Sequence, residues 1–266
     1  MISYVRNSNF SINKKNVIQI VKDVRDLIFP NFFNSLSSKA INANIFFKER
    51  IGNLLRLELG KINENTPFEI DIDKVIKDFF IELDDVVEFL KLDLQTFYNS
   101  DPAATDYDEI VISYPGYFAI YVYRIANVLY RLNVPYIPRI MSEYAHSKTG
   151  IDIHPGAEID SNFFIDHGTG IVIGETTKIG KNVKIYQNVT LGAISLGRGQ
   201  LLKGVKRHPT IENNVTIYSG ATILGGETVV GENTTIGANS FILESVSPNS
   251  IVLMKKSDLE FIKKTS

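Results

Sequence analysis

The first half of the chain places apolar residues at intervals of three and four positions. The spacing runs from residue 13 to about residue 143, and its first stretch covers one helix face about 100° wide. That face consists of Val17, Ile20, Val21, Val24, Leu27 and Ile28. The same spacing marks residues 40–59, 75–89 and 115–132, and Pro115 suits a first helical turn. The pattern predicts a mostly α-helical N-terminal region.

The second half follows an interval of six residues. Pro135 and Pro138 interrupt the helical pattern and residues 147–150 are small and polar, so the architecture changes near residue 150. Apart from one interruption and two short shifts, an aliphatic residue then recurs at every sixth position. The series is Ile153, Ile159, Ile165, Ile171, then Ile173, Ile179, Ile185, Leu191, then Ile211, Ile217, Ile223, Val229, and finally Val230, Ile236 and Ile242. This repeat fits a coil of short strands joined by tight turns, in which each repeat adds one side chain to an internal column.

A sandwich of short strands is the competing interpretation, because pairs such as Val183 and Ile185 also alternate with a period of two. Sandwich strands would not keep a six-residue phase, which favours the coil. The stretch "GAISLGRGQLLKGVKR" is too long to continue the coil, so we expect a loop to protrude near residues 193–206. The predicted fold class is α+β. Its domains are an α-helical domain at 1–146, a β-solenoid at 147–250 and a tail at 251–266.

Composition and charge narrow the chemistry. The 266 residues carry a formal net charge of −2, 44% are hydrophobic and 22% are charged, which argues against a nucleic-acid partner. The absence of cysteine excludes disulfides and thiolate nucleophiles, so a nucleophile must be activated by His, Lys or a carboxylate. Residues 1–16 lack an apolar signal-peptide stretch, and the apolar segment 117–132 is interrupted by Arg124, Asn127 and Arg131. We therefore expect a cytoplasmic protein with no membrane partner.

Five segments of the second half read "TGIDIHPGAEI", "DHGTGIVIGET", "NVTLGA", "KRHPTI" and "SGATILGG". They resemble the serine O-acetyltransferases of the hexapeptide-repeat acyltransferase superfamily, and "SDPAA" with "YRIAN" extends the resemblance into the helical half. The repeat alone indicates only the superfamily, whereas "DIHP", "DHGTG" and "RHP" together point to serine. The resemblance implies a left-handed parallel β-helix of triangular section, packed in trimers with active sites between neighbouring subunits. It also implies that the helical domain can pair two trimers into a hexamer.

Transfer of an acetyl group from a thioester to an alcohol needs a base, because the hydroxyl attacks poorly until its proton is removed. Imidazole is the natural candidate, and the chain offers His146, His154, His167 and His208. The resemblance assigns the base to His167 and its orienting carboxylate to Asp152. The two lie fifteen residues apart, close to the roughly eighteen of one three-sided coil, so they can sit on neighbouring turns. For His146 and His154 we expect structural roles.

The resemblance also implies the contacts to both substrates. Asp101 and Asp166 would meet the ammonium of serine, and the planar guanidinium of Arg207 would meet its carboxylate, with His208 as a further donor. Acetyl-CoA is expected as a co-substrate along the coil, at small residues that admit a ligand to the backbone amides: Gly192, Gly220 and Ala221. No permanently bound cofactor and no metal site are expected.

Three departures from the family pattern affect what the resemblance carries over. Ala193 and a longer loop replace a second glycine and a short loop before "RHP". The chain reads "NSIVLMKKSDLE" where many members have a segment that lies near CoA. It ends in "FIKKTS", whereas members that dock into cysteine synthase generally end in isoleucine, so we expect the complex with cysteine synthase to be absent or weak.

The expected activity is acetylation of L-serine to O-acetyl-L-serine for cysteine synthesis, with cysteine as a feedback inhibitor. One alternative is acetylation of another small alcohol, such as homoserine or a sugar. Asp101 and Arg207 favour an amino acid, because a sugar hydroxyl needs no such pair of opposite charges. A third interpretation is a solenoid scaffold or a metal-dependent hydratase. The zinc site of that hydratase branch needs converging histidines, and no HxxxxH pair is present.

Overall fold

The first half of the chain is α-helical in the computed structural model. The structure describes residues 12–33, 41–194, 197 and 199–255. The helices within these ranges are Lys14–Ile28 (α1), Pro30–Phe33 (α2), Ile41–Asn65 (α3), Ile72–Ser100 (α4), Tyr107–Ser113 (α5), Pro115–Arg131 (α6) and Ile137–Thr149 (α7). The side chains of Asn13 and Asp71 cap α1 and α4 by accepting from backbone amides of the first turn. No helix in the described part of the chain is long and apolar enough to cross a membrane.

The helical spacing of the sequence is confirmed, with one difference at the prolines. Val17, Ile20, Val21 and Val24 of α1 are buried in the core. Beyond Pro135 the helical structure resumes, because Pro138 occupies the first turn of α7, where a missing amide hydrogen costs nothing. Gly150, in the left-handed conformation at φ 71°, ends that helix and turns the chain into the solenoid.

The second half winds through short parallel strands. They are Asp152–Ile153 (β1), Glu158–Ile159 (β2), Phe164–Ile165 (β3), Val172–Ile173 (β4), Lys178–Ile179 (β5), Lys184–Ile185 (β6), Thr190–Gly192 (β7), Thr210–Ile211 (β8), Thr216–Ile217 (β9), Thr222–Leu224 (β10), Val229–Val230 (β11), Thr235–Ile236 (β12), Phe241–Ile242 (β13) and Ile251–Val252 (β14). Three sheets result, with the strand orders β1-β4-β7-β10-β13 (sheet A), β11-β8-β5-β2 (sheet B) and β14-β12-β9-β6-β3 (sheet C). The last strand lies just past the boundary predicted at residue 250.

The six-residue column forms the interior of this coil. Its members from Ile153 to Ile223 are buried, and Val230 rather than the half-exposed Val229 takes the inner place in β11. Strand pairing measures the length of each coil: Asp152 pairs with Val172, 20 residues on, Val172 with Thr190 after 18, and Thr190 with Thr222 after 32. The first coil therefore has two extra residues, which fall in the turn between β3 and β4. The third contains the protruding loop between β7 and β8, as predicted, with a 3₁₀ turn at Gly199–Leu202.

The corner between sheets B and C is the most regular part of the coil. Here Asn182, Asn214, Asn233 and Asn249 all have φ between 57° and 60°, a left-handed conformation that asparagine tolerates better than most residues. Their side-chain amides form a chain of hydrogen bonds, 3.0, 3.0 and 3.1 Å long, from each coil to the next. The inward residues on either side of this corner are always six apart, as in Ile179 and Ile185.

Helix α6 covers the free edge of the first coil. The hydroxyl of Tyr123 donates to the carbonyl of Ala157 (2.6 Å), and Asn127 Nδ2 donates to the carbonyls of Pro155 and Ala157. Arg124 donates to the carbonyls of Ile159 and Asp160 and forms a buried bidentate pair with Asp93 of α4. The "YRIAN" segment thus satisfies backbone groups that an open sheet edge would leave unpaired.

Candidate active site

Residues 166–170, the turn between β3 and β4, form the first corner of the site, where the coil carries its two extra residues. His167, Gly168 and Gly170 have φ of 55°, 86° and 81°, and a Cβ at Gly168 would overlap the side chain of Ile151. A histidine at positive φ is uncommon and costs conformational energy, which is typical of functional sites. The turn leaves the His167 side chain 72% exposed, with Nε2 3.7 Å from Asp166 Oδ1. An accessible imidazole beside a carboxylate is suited to accept a proton.

Asp101 lies close to this first corner and is held by Tyr114. It is the residue that follows α4, and its carboxylate accepts from the hydroxyl of Tyr114 (2.6 Å) and from the amide of Ala103 (2.8 Å). These two hydrogen bonds, together with the nearby His167, hold the pKa of Asp101 below its ordinary value. The hydrogen bond from Tyr114 to Asp101 also raises the pKa of Tyr114 to about 12. Asp101 therefore stays ionised and can bind a cation, and Tyr114 is a partner that the sequence did not reveal.

Arg207 belongs to the second corner, which consists of the turns 154–157 and 174–177 and the loop end 206–209. This corner lies at the opposite edge of sheet A from the first. The Arg207 guanidinium pairs with Glu175, and its Nη1 donates to the carbonyl of Leu202 (3.3 Å). Glu175 also accepts from the hydroxyl of Tyr130 (2.9 Å). Burial alone would raise the pKa of Glu175. The hydrogen bonds from Arg207 and Tyr130 nevertheless hold that pKa below its ordinary value.

His208 is fixed at the same second corner by Thr176. Its Nδ1 accepts from the Thr176 amide (3.1 Å) and lies 2.9 Å from the Thr176 hydroxyl. The ring rests on Gly174, where a Cβ would overlap ring atoms. Only 7% of the residue is exposed, and burial, with the charge of Arg207, lowers the pKa of His208 to about 4. His208 is thus a neutral imidazole in a defined orientation.

Lys206 anchors the end of the protruding loop. Its ammonium donates to the carbonyls of Thr176 (2.8 Å), Pro209 (3.1 Å) and His208. An ammonium has three N–H groups, so these bonds use all its donors. Lys206 therefore holds Arg207 and His208 in place and is not available to a bound phosphate.

Asp152 and His154 both belong to the first coil, and His154 begins the turn 154–157 of the second corner. Asp152 is half-exposed at the start of β1, and no hydrogen bond joins it to His167 within the described chain. His154 caps its own turn, as expected, by accepting at Nδ1 from the amide of Gly156 (3.0 Å). His146 lies on α7, 3.4 Å from Glu143, and no hydrogen bond or ion pair joins its side chain to either corner within the described residues. Across the described residues, no hydrogen bond or ion pair links the first corner to the second.

The three small residues predicted to contact CoA have packing roles in the coil. A Cβ at Gly192 would lie 2.8 Å from Leu224 Cδ2, and Gly220, at φ 74°, lies against the side chain of Asn239. Ala221 is fully buried. The amides of Gly220 and Ala221 donate to the carbonyls of Gln187 and Tyr218. Contact of CoA with these residues stays a prediction.

Known proteins share both halves of this architecture. The family model for the N-terminal region of serine acetyltransferase matches residues 33–121. A plasmid serine acetyltransferase of Synechococcus elongatus is 41% identical over 218 residues, which are 74% of this chain and 67% of that protein. This chain belongs to the serine acetyltransferase family. Two Bacillus members, from B. licheniformis and B. subtilis, are 47% and 46% identical, and the matched segment spans 56% and 55% of their length.

Solved structures of serine acetyltransferases confirm the predicted fold, an α-helical domain followed by a left-handed parallel β-helix. Entamoeba histolytica serine acetyltransferase 1, in complex with L-cysteine, superposes with a TM-score of 0.81 and 36% identity over 92% of this chain and 87% of that one. The Brucella abortus serine acetyltransferase, in complex with coenzyme A, gives a TM-score of 0.62 and 26% identity over 88% and 78%.

Proposed function

We propose that this protein transfers an acetyl group from acetyl-CoA to the hydroxyl of L-serine, with His167 as the general base. The observation that carries the proposal is the first corner, which holds His167 accessible beside Asp166 and near Asp101. His167 takes the hydroxyl proton as the serine oxygen attacks the thioester carbonyl. As the C–S bond breaks, the imidazolium returns that proton to the CoA sulfur. The products are O-acetyl-L-serine, which supplies cysteine synthesis, and CoA.

Serine would be recognised at both ends by opposite charges. Asp101 and Asp166 attract its ammonium, while Arg207 and His208 donate to its carboxylate. Glu175 keeps the Arg207 guanidinium in place, and Nη1 donates to backbone carbonyls of the loop. The N–H groups that these bonds do not use are left for the substrate. Cysteine, which the Entamoeba relative binds, differs from serine by sulfur in place of oxygen, so we expect it to compete at this site.

The two corners would form one site when a second copy of the chain packs against sheet A. Within one chain they lie at opposite edges of that sheet, and no hydrogen bond or ion pair among the described residues joins them. The outer residues of sheet A include two exposed apolar side chains, Val172 (39% exposed) and Phe241 (65% exposed), which burial against a neighbour would stabilise. In a trimer the first corner of one copy would meet the second corner of the next copy. Asp152 of that next copy would then orient His167 of the first.

The first test supplies acetyl-CoA with L-serine, L-homoserine or sugars and follows thiol release with a chromogenic reagent. Because the chain has no cysteine, it adds no background. We expect release that depends on L-serine, and a loss of about 10²- to 10⁴-fold in His167→Ala. His146→Ala, on an exposed part of α7, is the matched control and should keep its activity. Release with homoserine or a sugar instead of serine, or a fully active His167→Ala, would refute the proposal.

The shared site is tested by mixing two inactive variants. His167→Ala removes a first-corner residue and Arg207→Ala a second-corner residue, and the two chains are co-expressed with different tags. If neighbouring copies share each site, about a quarter of the sites in equal mixtures combine two intact corners and that share of wild-type activity returns. Co-purification of both tags verifies the mixing. Mixed oligomers without activity would mean that each site lies within one chain.

A further inference from the structure

We infer that Thr176 positions His208 as a neutral, single-tautomer imidazole whose Nε2–H is a hydrogen-bond donor to the carboxylate of serine. The inference rests on the proposed function for the identity of the acceptor. The tautomer itself follows from contacts within the chain. Those contacts come from the turn 174–177 and from the loop end 206–209, which the coil places side by side although they are about 30 residues apart.

The backbone amide of Thr176 decides the tautomer. An amide N–H can only donate, so the Nδ1 atom to which it points, 3.1 Å away, must carry a lone pair. A neutral imidazole that accepts at Nδ1 carries its proton on Nε2. The Nε2 atom forms no hydrogen bond with the described residues, so its proton is left for a ligand.

The Thr176 hydroxyl supports the same arrangement. Its oxygen accepts from the amides of Arg207 (2.9 Å) and His208 (3.1 Å), so two N–H groups already occupy its acceptor side. Its own hydrogen is then free to point to Nδ1, 2.9 Å away, as a second donor. Thr176 therefore orients both the imidazole of His208 and the backbone that carries Arg207. The side chains of His208 and Arg207 are proposed to bind the same carboxylate of serine.

Most of the groups around His208 oppose its protonation. A proton on Nδ1 would face the amide hydrogen of Thr176 at hydrogen-bond distance. The cations Arg207 and Lys206 lie beside the ring on the loop end, and His154 faces it from the turn 154–157. Glu175 on the turn 174–177 favours protonation, but its carboxylate is already bound to Arg207 and Tyr130. Because Gly174 has no side chain, the ring can lie close against its backbone, where it is buried. His208 is thus a donor and does not compete with His167 as the base.

The tautomer can be observed without any activity. Full-length protein labelled with ¹⁵N-histidine is sedimented and studied by magic-angle-spinning NMR between pH 4.5 and 8.5, and the His208 signals are identified by their loss in His208→Gln. We expect Nε2 to carry the proton and both nitrogens to keep their shifts down to about pH 5. A proton on Nδ1, or protonation near the ordinary value of about 6.5, would overturn the inference.

The positioning role is tested by two variants at one site. Thr176→Val keeps the shape but lacks the hydroxyl, so we expect His208 to protonate at higher pH and the KM for serine to rise about tenfold. The KM for acetyl-CoA should not move, and Thr176→Ser should restore the wild-type titration. Thr235→Val, on sheet C away from the loop, is the matched control. An unchanged KM for serine in Thr176→Val would show that Thr176 does not position the donor. Absence of serine-dependent turnover in the wild-type protein would instead refute the proposed function, and the tautomer measured by NMR would be unaffected.

Discussion

Tyr114 and Glu175 each hold a charged side chain of the site in one orientation. Tyr114 directs one oxygen of Asp101 by a 2.6 Å hydrogen bond, and Glu175 pairs with Arg207. A long or flexible charged side chain loses conformational entropy when it binds a ligand, and a partner that orders it beforehand reduces that loss. In the proposed site the two residues would therefore act on serine through Asp101 and Arg207.

Replacing Tyr114 by phenylalanine tests this role. We expect Tyr114→Phe to raise the KM for serine about tenfold, because the Asp101 carboxylate loses a charge-assisted hydrogen bond and its fixed orientation. The pKa of Asp101 should also rise towards its ordinary value, since the Tyr114 bond is the main cause of its lowering. Tyr107→Phe is the control, because Tyr107 bonds to Gln95 on the surface. Steady-state kinetics measure the KM for serine in both variants, and equal KM values would contradict the prediction.

The titratable residues proposed for the site could be picked out from the sequence, but their partners could not. Asp101, Asp166, His167, Arg207 and His208 stand in motifs whose letters resemble those of a family. The roles of Glu175 and Thr176 depend on the loop end returning to their turn after about 30 residues, and no local pattern encodes that approach. Tyr114 meets Asp101 through the packing of α4 against α6, which is likewise a tertiary contact.

Among the elements, the turns of the coil are held by small residues that tolerate positive φ. Gly170 is an example: it has φ 81°, and a Cβ there would overlap Oδ1 of Asn188 in the next coil. An L-residue at this position would be strained twice, by its backbone conformation and by the close neighbour.

Gly170→Ala should therefore lower the free energy of unfolding by about 1–3 kcal/mol. Gly60→Ala is the matched control, because Gly60 lies within α3 with open space around it. There alanine should leave the protein equally stable or raise its stability by up to about 1 kcal/mol. Denaturant unfolding monitored by circular dichroism compares the two. A Gly170→Ala protein as stable as the wild type would show that the turn carries no such strain.

For the whole molecule, the join between helices and coil depends on a buried ion pair. Asp93 of α4 and Arg124 of α6 are both buried, and Asp93 also accepts from the amide of Phe163 in the first coil. Burial raises the pKa of Asp93 despite the guanidinium beside it. Such a pair adds little net stability compared with apolar residues, but loss of one partner leaves a buried charge uncompensated.

Arg124→Met should accordingly destabilise the protein by about 3–5 kcal/mol, since Asp93 and the carbonyls of Ile159 and Asp160 lose their donors. Lys91→Met breaks an exposed pair with Glu88 and should have no measurable effect. The double variant Asp93→Leu with Arg124→Met should recover part of the loss. Thermal unfolding provides the comparison, and an Arg124→Met protein no weaker than Lys91→Met would refute this account.

The overall architecture was largely predictable because one period governs each half. A column of isoleucines six residues apart can be buried only by a regular coil, and an apolar stripe at intervals of three and four only by a helix. How the halves join was not predictable, because Arg124 and Asn127 read as interruptions of an apolar helix until the carbonyls of the first coil are placed beside them.

The regular corner at the asparagines has a consequence for engineering and for evolution. Inward residues across it keep a six-residue spacing in every coil, whereas both edges of sheet A have accepted insertions, two residues before β4 and the loop before β8. An insertion beside Asn182 or Asn214 would interrupt the amide chain, while one at an edge of sheet A only lengthens a turn. New specificities should therefore arise, and be most easily grafted, along the edges of sheet A, while the asparagine corner keeps the coil regular.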